Sequence, residues 1–261
     1  MRLLLAPALV GARFEDVLVR RANLRIPFPA AFEDRLVGHQ VLALDRRAKY
    51  LLGVLSSGET LVIHLGMTGW FRVEGYGRAG SPEFESGNDP RHDHVVFRMS
   101  SGAVVTFNDP RRFGLMDLVP AGATHQAVGL LGPEPLSAAF DAAVLAATAR
   151  GRKTPLKALL LDQRVVAGLG NIYASEALWV ARLSPARRAS TVATTAGAPR
   201  PTAERLAAAI VEVLKRAIGG VDRFRVYDRE GQRCARRSCG GRIRRIVQAG
   251  RSTFYCPVCQ R

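Results

Sequence analysis

The chain has 261 residues, 48% of them apolar, with its 25 glycines and 14 prolines scattered along it, which suits a folded protein and excludes a disordered one. Lys and Arg outnumber Asp and Glu by 38 to 22, and the resulting charge of +16 and pI near 11.0 point to a polyanionic partner.

The N-terminal stretch Met1–Gly11 could pass for a small signal peptide, but it is shorter than the ~15–30 residues export needs and Pro7 interrupts it. No run approaches the ~20 apolar residues of a spanning helix, so an anionic membrane is the weaker candidate partner. Residues 13–119 read mainly as β. Val41–Leu44 leads into 46–52, where Leu42, Leu44, Ala48, Tyr50 and Leu52 share one strand face and Asp45, Arg47 and Lys49 the opposite, more polar one. Further strands are expected at Thr60–Leu65, Gly69–Glu74, Val95–Met99, Ala103–Phe107 and Gly114–Val119, and many short strands suggest an antiparallel sandwich. Gly75–Arg91 is polar and Gly-rich, a loop. From 136 to 220 the period turns helical: a short helix at Thr154–Leu161, another N-capped by Asn171 and running to about Ala181, and a third at Ala203–Ile218 capped by Thr202 and ended by Gly219-Gly220. The Ala/Thr/Pro-rich stretch 184–201 reads as a linker.

Cys234, Cys239, Cys256 and Cys259 are the only cysteines, with four residues inside the first pair, two inside the second and sixteen between the pairs. Close thiolate pairs flanking a hairpin are what a tetrahedral structural Zn²⁺ requires; a redox pair or disulfides fit less well, and free thiols favour the cytoplasm. From Cys234 to Arg261 there are seven arginines and no Asp or Glu, more cation than a four-thiolate zinc site needs, so the surplus faces a polyanion.

Other segments are weaker when taken singly. Gly168-Leu169-Gly170-Asn171 opens a helix and is either an ordinary capped turn or a phosphate cradle. Asp109-Pro110-Arg111-Arg112-Phe113-Gly114 is a solvated turn or an aromatic wedge with guanidiniums beside it. Met67 alone reads as a core methionine, His64 as a core histidine and Lys49 as a solvated lysine. His92-Asp93-His94 is thin evidence for a metal; a phosphate or base contact by His92 and a plain surface His are the alternatives.

In order, Arg46–Leu51, His64-Leu65-Gly66-Met67-Thr68-Gly69, His92–Val95, Asp109–Gly114, Gly132-Pro133-Glu134-Pro135-Leu136, Gly170-Asn171-Ile172-Tyr173-Ala174-Ser175-Glu176 and Thr253-Phe254-Tyr255-Cys256 closely resemble bacterial formamidopyrimidine-DNA glycosylase from about Leu5 to Arg261. Endonuclease VIII, a relative, matches less well at Asp109–Gly114. The resemblance implies an α+β multidomain protein: an N-terminal antiparallel β-sandwich (1–120), a linker (121–135), a helix–two-turn–helix domain (136–222) and a zinc finger with a β-hairpin (223–261), with DNA in the cleft. It implies a monomeric bacterial repair enzyme of the cytoplasm. The enzyme removes oxidised or ring-opened purines from double-stranded damaged DNA and cuts the strand by β,δ-elimination. Carried over by motif, Lys49 acts at the lesion and as proton donor in β-elimination, and Arg251 holds phosphates and assists δ-elimination. His92, Arg111, Arg152 and Asn171 contact DNA, while Met67, Arg111 and Phe113 fill the gap left by the flipped nucleotide; Cys234, Cys239, Cys256 and Cys259 hold one structural Zn²⁺.

Two departures bear on activity. Family members start, after Met removal, with Pro-Glu, whose proline amine attacks C1′; here Met1-Arg2-Leu3 aligns with the middle of the first helix. A misplaced start codon is the reading that abrupt entry favours, and a paralogue that binds damaged DNA without cutting it is the other. Between Gly220 and Arg225 only Val221–Phe224 remains, where the family has the longer loop that closes over an oxidised purine.

Overall fold

Among the residues that this computed structural model describes, 1–75, 89–220 and 223–261, strands dominate the first half and helices the second. Contacts divide the chain into two units, Met1–Gly129 and Leu130–Arg261. The polar stretch read as a loop at Gly75–Arg91 lies mostly outside the described residues, as does Val221-Asp222.

The first unit opens with α1 (Arg2–Leu9), which buries Leu5, Ala8 and Leu9. The strands are β1 (Phe14–Val19), β2 (Val41–Arg47), β3 (Tyr50–Leu55), β4 (Thr60–His64), β5 (Trp70–Glu74), β6 (Asp93–Met99), β7 (Val104–Asn108) and β8 (Leu115–Val119), followed by the single turn α2 (Gln126–Gly129). They form two four-stranded antiparallel sheets, β2-β3-β4-β8 and β1-β6-β7-β5. Leu44, Leu51, Leu61 and Ile63 from one sheet and Phe14, Phe71, Phe97 and Phe107 from the other share one buried cluster, as a sandwich demands. Within it Phe14 meets Phe97 edge-on at 5.3 Å between ring centres.

The strand expected to run unbroken from Val41 to Leu52 is instead a hairpin. Arg47 pairs with Tyr50, leaving Ala48-Lys49 as a two-residue turn, and Ala48 takes φ 53, a left-handed value that such turns usually reserve for glycine. A register slip between Val41 and Ala43 reverses the parity, so Leu42 lies exposed while Leu44 and Leu51 are buried. A shared face cannot survive both a bulge and a turn.

The second unit holds α3 (Ala142–Ala149), α4 (Leu156–Leu161), α5 (Asn171–Val180), α6 (Pro201–Ile218) and a hairpin of β9 (Arg244–Gln248) and β10 (Arg251–Tyr255). Asp141 caps α3 by accepting the Val144 N–H at 2.8 Å. Along α6 the buried Ala203, Leu206, Ala207, Ile210 and Val213 recur at helical spacing and face the core built by α3, α4 and α5.

Three expected boundaries move. α4 begins at Leu156, not Thr154, because Pro155 occupies its N-cap. Gly170, not Asn171, is the N-cap of α5; Asn171 is its first helical residue and uses its side chain elsewhere. α6 starts at Pro201, whose missing N–H suits the first turn, so Thr202 lies inside the helix with its hydroxyl buried and unbonded. The stretch 184–201 is no linker either: Ala189, Val192 and Ala193 are buried in the helical core around a short 3₁₀ turn at Ala189–Val192.

Candidate functional site

In the first unit, two loops are welded together by one buried carboxylate. Asp109 has no exposed surface; one oxygen accepts the Thr68 hydroxyl and the other the Gly114 N–H at 2.8 Å. Its carbonyl accepts from His94 Nε2 at 2.9 Å. Gly66, at φ 69, brings its backbone so close to Phe113 that a Cβ there would lie 2.5 Å from the Phe113 carbonyl carbon. Between these anchors the tips project: Met67 is 73% exposed and Phe113 is 42% exposed, with the Arg111 guanidinium 4.6 Å from the Phe113 ring centre. Met67 is therefore not a core residue. Two exposed apolar side chains thus stand on anchored loops beside a cation, outside any packed core.

Lys49 sits exposed on the β2–β3 turn, and the strand neighbour of that hairpin brings His64 beside it. His64 is only partly buried, so the core reading fails. The Gly66 N–H donates to its Nδ1 at 3.0 Å, which places the ring proton of the neutral form on Nε2. Burial first, and then the charges of Lys49 and Arg25, hold its pKa below the ordinary value, keeping it neutral.

His92 closes a 3₁₀ turn at Pro90–His92 and is partly exposed. Its neighbours do not complete a metal site. Asp93 is buried against Arg72 (3.1 Å) and Asn108 (2.7 Å), and His94 turns to the Asp109 carbonyl. Among the described residues, the four cysteines are the one cluster fit for a metal.

In the second unit, the turns between α4 and α5 are stapled by Gln163. Its amide NH₂ donates to the carbonyls of Leu161 and Leu169, and its oxygen accepts the Gly168 N–H. Gly132 packs onto the same turns, where any Cβ would lie 2.3 Å from the Arg164 carbonyl oxygen. Arg152 is exposed and lies 3.8 Å from Asp162, which Arg164 also grips.

The hairpin β9–β10 turns at Ala249-Gly250, both at positive φ (48 and 72), as a two-residue I′ turn requires, and puts Arg251 exposed at its tip. Just behind it the Ser252 carbonyl accepts two donors, Asn171 Nδ2 at 3.0 Å and Lys157 Nζ at 3.2 Å, and Lys157 also bonds the Thr253 hydroxyl at 2.7 Å. Lys157 is wholly buried. Burial, reinforced by the Arg251 charge, brings its pKa down from 10.5 to about 8. At the other end of this segment, the buried Glu176 carboxylate accepts three successive backbone N–H groups, of Arg225 (2.8 Å), Val226 (2.9 Å) and Tyr227 (2.9 Å).

The four cysteine sulfurs lie within 4.8 Å of one another, with Cys234–Cys259 at 3.8 Å and Cys239–Cys256 at 3.6 Å. A tetrahedron of thiolates at the usual Zn–S length of ~2.3 Å has edges of about 3.8 Å, whereas a disulfide would draw one pair to ~2.05 Å. The residues fit the metal, and the site is a structural zinc site. The Trp179 indole N–H, 3.4 Å from Cys234, supplies a donor to that thiolate, and Arg236 stacks over the same indole at 4.2 Å. Trp179, Val226, Ile243 and Phe254 pack around Cys234 and Cys256, so the metal organises a core of its own.

Sequence profiles match this architecture in order: the formamidopyrimidine-DNA glycosylase N-terminal domain over residues 1–116, the H2TH domain of the same enzyme over 131–226, and a zinc finger found in FPG and IleRS over 231–261. The chain belongs to the formamidopyrimidine-DNA glycosylase family. A formamidopyrimidine-DNA glycosylase of Rhodopseudomonas palustris (strain BisA53) is 54% identical over 284 residues, covering 100% of this chain and 97% of the relative. That alignment is longer than the chain, so the relative holds residues with no counterpart here. The enzyme of Methylobacterium sp. (strain 4-46) is 52% identical over 98% of this chain and 95% of its own length. Among solved structures, the MutM (Fpg) protein of Thermus thermophilus superposes with a TM-score of 0.80 at 37% identity over 99% of this chain and 95% of its own. Lactococcus lactis Fpg, in a complex with DNA containing an abasic site, gives 0.82 at 27% over 100% and 96%.

Within this glycosylase family fold, sequence reasoning found the exposed tips and missed what holds them. Asp109 and Glu176 stood inside the quoted motifs without a role, and the signal for Lys157 was a single cation in the apolar run Leu156–Leu161. Gln163 carried no signal, since nothing in a turn marks a side chain as a staple.

Proposed function

We propose that this protein is a zinc-containing DNA glycosylase and AP lyase of base-excision repair that removes oxidised and ring-opened purines from duplex DNA. The exposed Met67 and Phe113 beside Arg111, on loops pinned by Asp109, are the observation that carries this reading, and they suit a wedge. A side chain inserted between base steps holds open the gap from which a damaged nucleotide has been turned out. An amine then attacks C1′ as the N-glycosidic bond breaks. Loss of the C2′ proton expels the 3′ phosphate, and a second elimination expels the 5′ phosphate. Lys49 acts at the lesion and donates a proton during β-elimination. His92, Arg111, Arg152 and Asn171 contact the DNA, and Arg251 stabilises the departing phosphate. The division at 1–120, 121–135, 136–222 and 223–261 belongs to the same reading, as does a cytoplasmic monomer. No helix among the described residues is long and apolar enough to cross a membrane.

The test is a lesion duplex carrying ring-opened or oxidised guanine, with borohydride present to trap the covalent adduct. The chain is assayed from Met1 and in a form extended by the in-frame codons upstream, since the family's nucleophile is a proline at the start. The expected result is base release, doubly eliminated ends and a trapped adduct. If both forms bind the lesion duplex and neither releases base, the enzyme reading fails.

A further inference from the structure

The zinc module carries a second basic pole that the lesion site does not use. Arg233, Arg237 and Arg242, with Ser238, Cys239 and Gly240, line an open groove of about 440 Å³ at the base of the β9–β10 hairpin, beside the thiolates. All three arginines are exposed, and among the described residues none makes an ion pair. Arg242 donates one bond, to the Gly231 carbonyl at 2.8 Å, which fixes its direction. Backbone pairing sets Arg233 opposite Arg242, and both line the groove. Gly240 leaves the floor open, since a Cβ there would meet nothing within 4 Å.

Offsetting the thiolates does not account for this. A four-cysteine zinc site carries a net charge of about −2. Arg236 already lies over Trp179 beside Cys234 and bonds the Trp179 and Val180 carbonyls at 2.6 and 3.1 Å. Three further cations converging without a carboxylate repel one another, and an anion in the groove would reverse that cost. Guanidiniums beside a hydroxyl suit phosphate oxygens.

We infer that this basal groove holds phosphodiesters of the duplex outside the lesion. The inference rests on the DNA-binding reading above and adds a separate contact to it. Arg251 at the tip is separated from the base by the five-residue strand, about 17 Å at ~3.4 Å per residue. That is the axial length of about five base pairs. A short duplex centred on the lesion would end before the groove, and a longer one would reach it.

The experiment measures the salt dependence of binding by the zinc-loaded full chain to abasic-analogue duplexes of about 7 and about 25 base pairs, for wild type and for R233Q/R237Q/R242Q. The expected result is a salt slope lower by about two to three on the long duplex in the variant, at ~0.9 per phosphate, no change on the short one, and unaltered zinc content. Equal slopes for the two proteins on the long duplex would overturn the inference while leaving lesion binding intact. Should the variant lose zinc, hydroxyl-radical footprinting of the wild type decides. Backbone protection beyond the short duplex supports the groove, and protection confined to the lesion region overturns it. Failure of the wild type to bind either duplex would instead sink the DNA-binding reading itself.

Discussion

Lys157 is a cation with no exposed surface, bonded to a carbonyl and a hydroxyl rather than to a carboxylate. Its pKa falls from 10.5 in the unfolded chain to about 8 in the fold, because burial disfavours the charge and Arg251 repels it. Below pH ~8 both states carry the proton, and burying the cation opposes folding by the full difference, about 3 kcal/mol. Between ~8 and ~10.5 the unfolded state holds a proton that the native state has released, so stability rises with pH; above that window the penalty is gone. Lys157→Met removes the charge and keeps the volume. The Ser252 carbonyl retains Asn171, so one hydrogen bond to Thr253 is the main loss, about 1 kcal/mol. At pH 7 the variant should therefore be more stable than wild type by about 2 kcal/mol, and the gap should close as pH approaches 10. Urea unfolding of the zinc-saturated proteins from pH 6.5 to 9.5 measures this, and the difference between the two proteins cancels every other titrating group. A variant less stable than wild type at pH 7, with a parallel pH curve, would refute the reasoning.

Glu176→Gln should cost about 2 kcal/mol, some thirty-fold in the unfolding constant, because an NH₂ would face an N–H of Arg225–Tyr227. Amide exchange at those three positions should quicken, and unchanged exchange would count against the bonds. Asp109→Ala should lose about 2–4 kcal/mol by orphaning the Gly114 N–H and freeing Thr68. The same change should erode preference for an abasic over an intact duplex, measured by competition binding. Cys256→Ser should abolish stoichiometric zinc and DNA binding, read by metal analysis and gel shift; retained binding would show that the finger is not needed for grip.

The zinc site was legible because four ligands at fixed spacing leave few alternatives, and the sulfurs converge as the spacing demands. The sandwich was legible from short alternating strands, most of them within two residues of their observed bounds. What escaped was decided by partners distant in sequence. The Lys157 hydroxyl partner lies 96 residues away, and the Glu176 amides about 50. Cap assignment slipped along the chain in two helices: Gly170 rather than Asn171 caps α5, and Pro201 at the first helical position of α6 leaves Arg200 as its cap rather than Thr202. The buried stretch 184–201 has small residues and no period, so its packing left no trace in the pattern.

Three of the buried ionisable groups share a device. Asp109, Glu176 and Lys157 each bond backbone atoms of a segment that carries a less buried side chain, namely Gly114 next to the exposed Phe113, the amides leading to the half-buried Tyr227, and Ser252 next to the exposed Arg251. Backbone bonds fix where a loop runs without consuming the side chain at its tip, so position and recognition are carried by different residues. Burying such a group is tolerable only when its polar atoms are met, which makes each anchor sensitive to change. It follows that Phe113→Ala and Arg251→Ala should weaken DNA binding with stability nearly unchanged, since both side chains are exposed. Changes at Asp109 and Glu176 should alter binding and stability together. A tip substitution that destabilised the fold as much as its anchor would show that the loops are held by the tips after all.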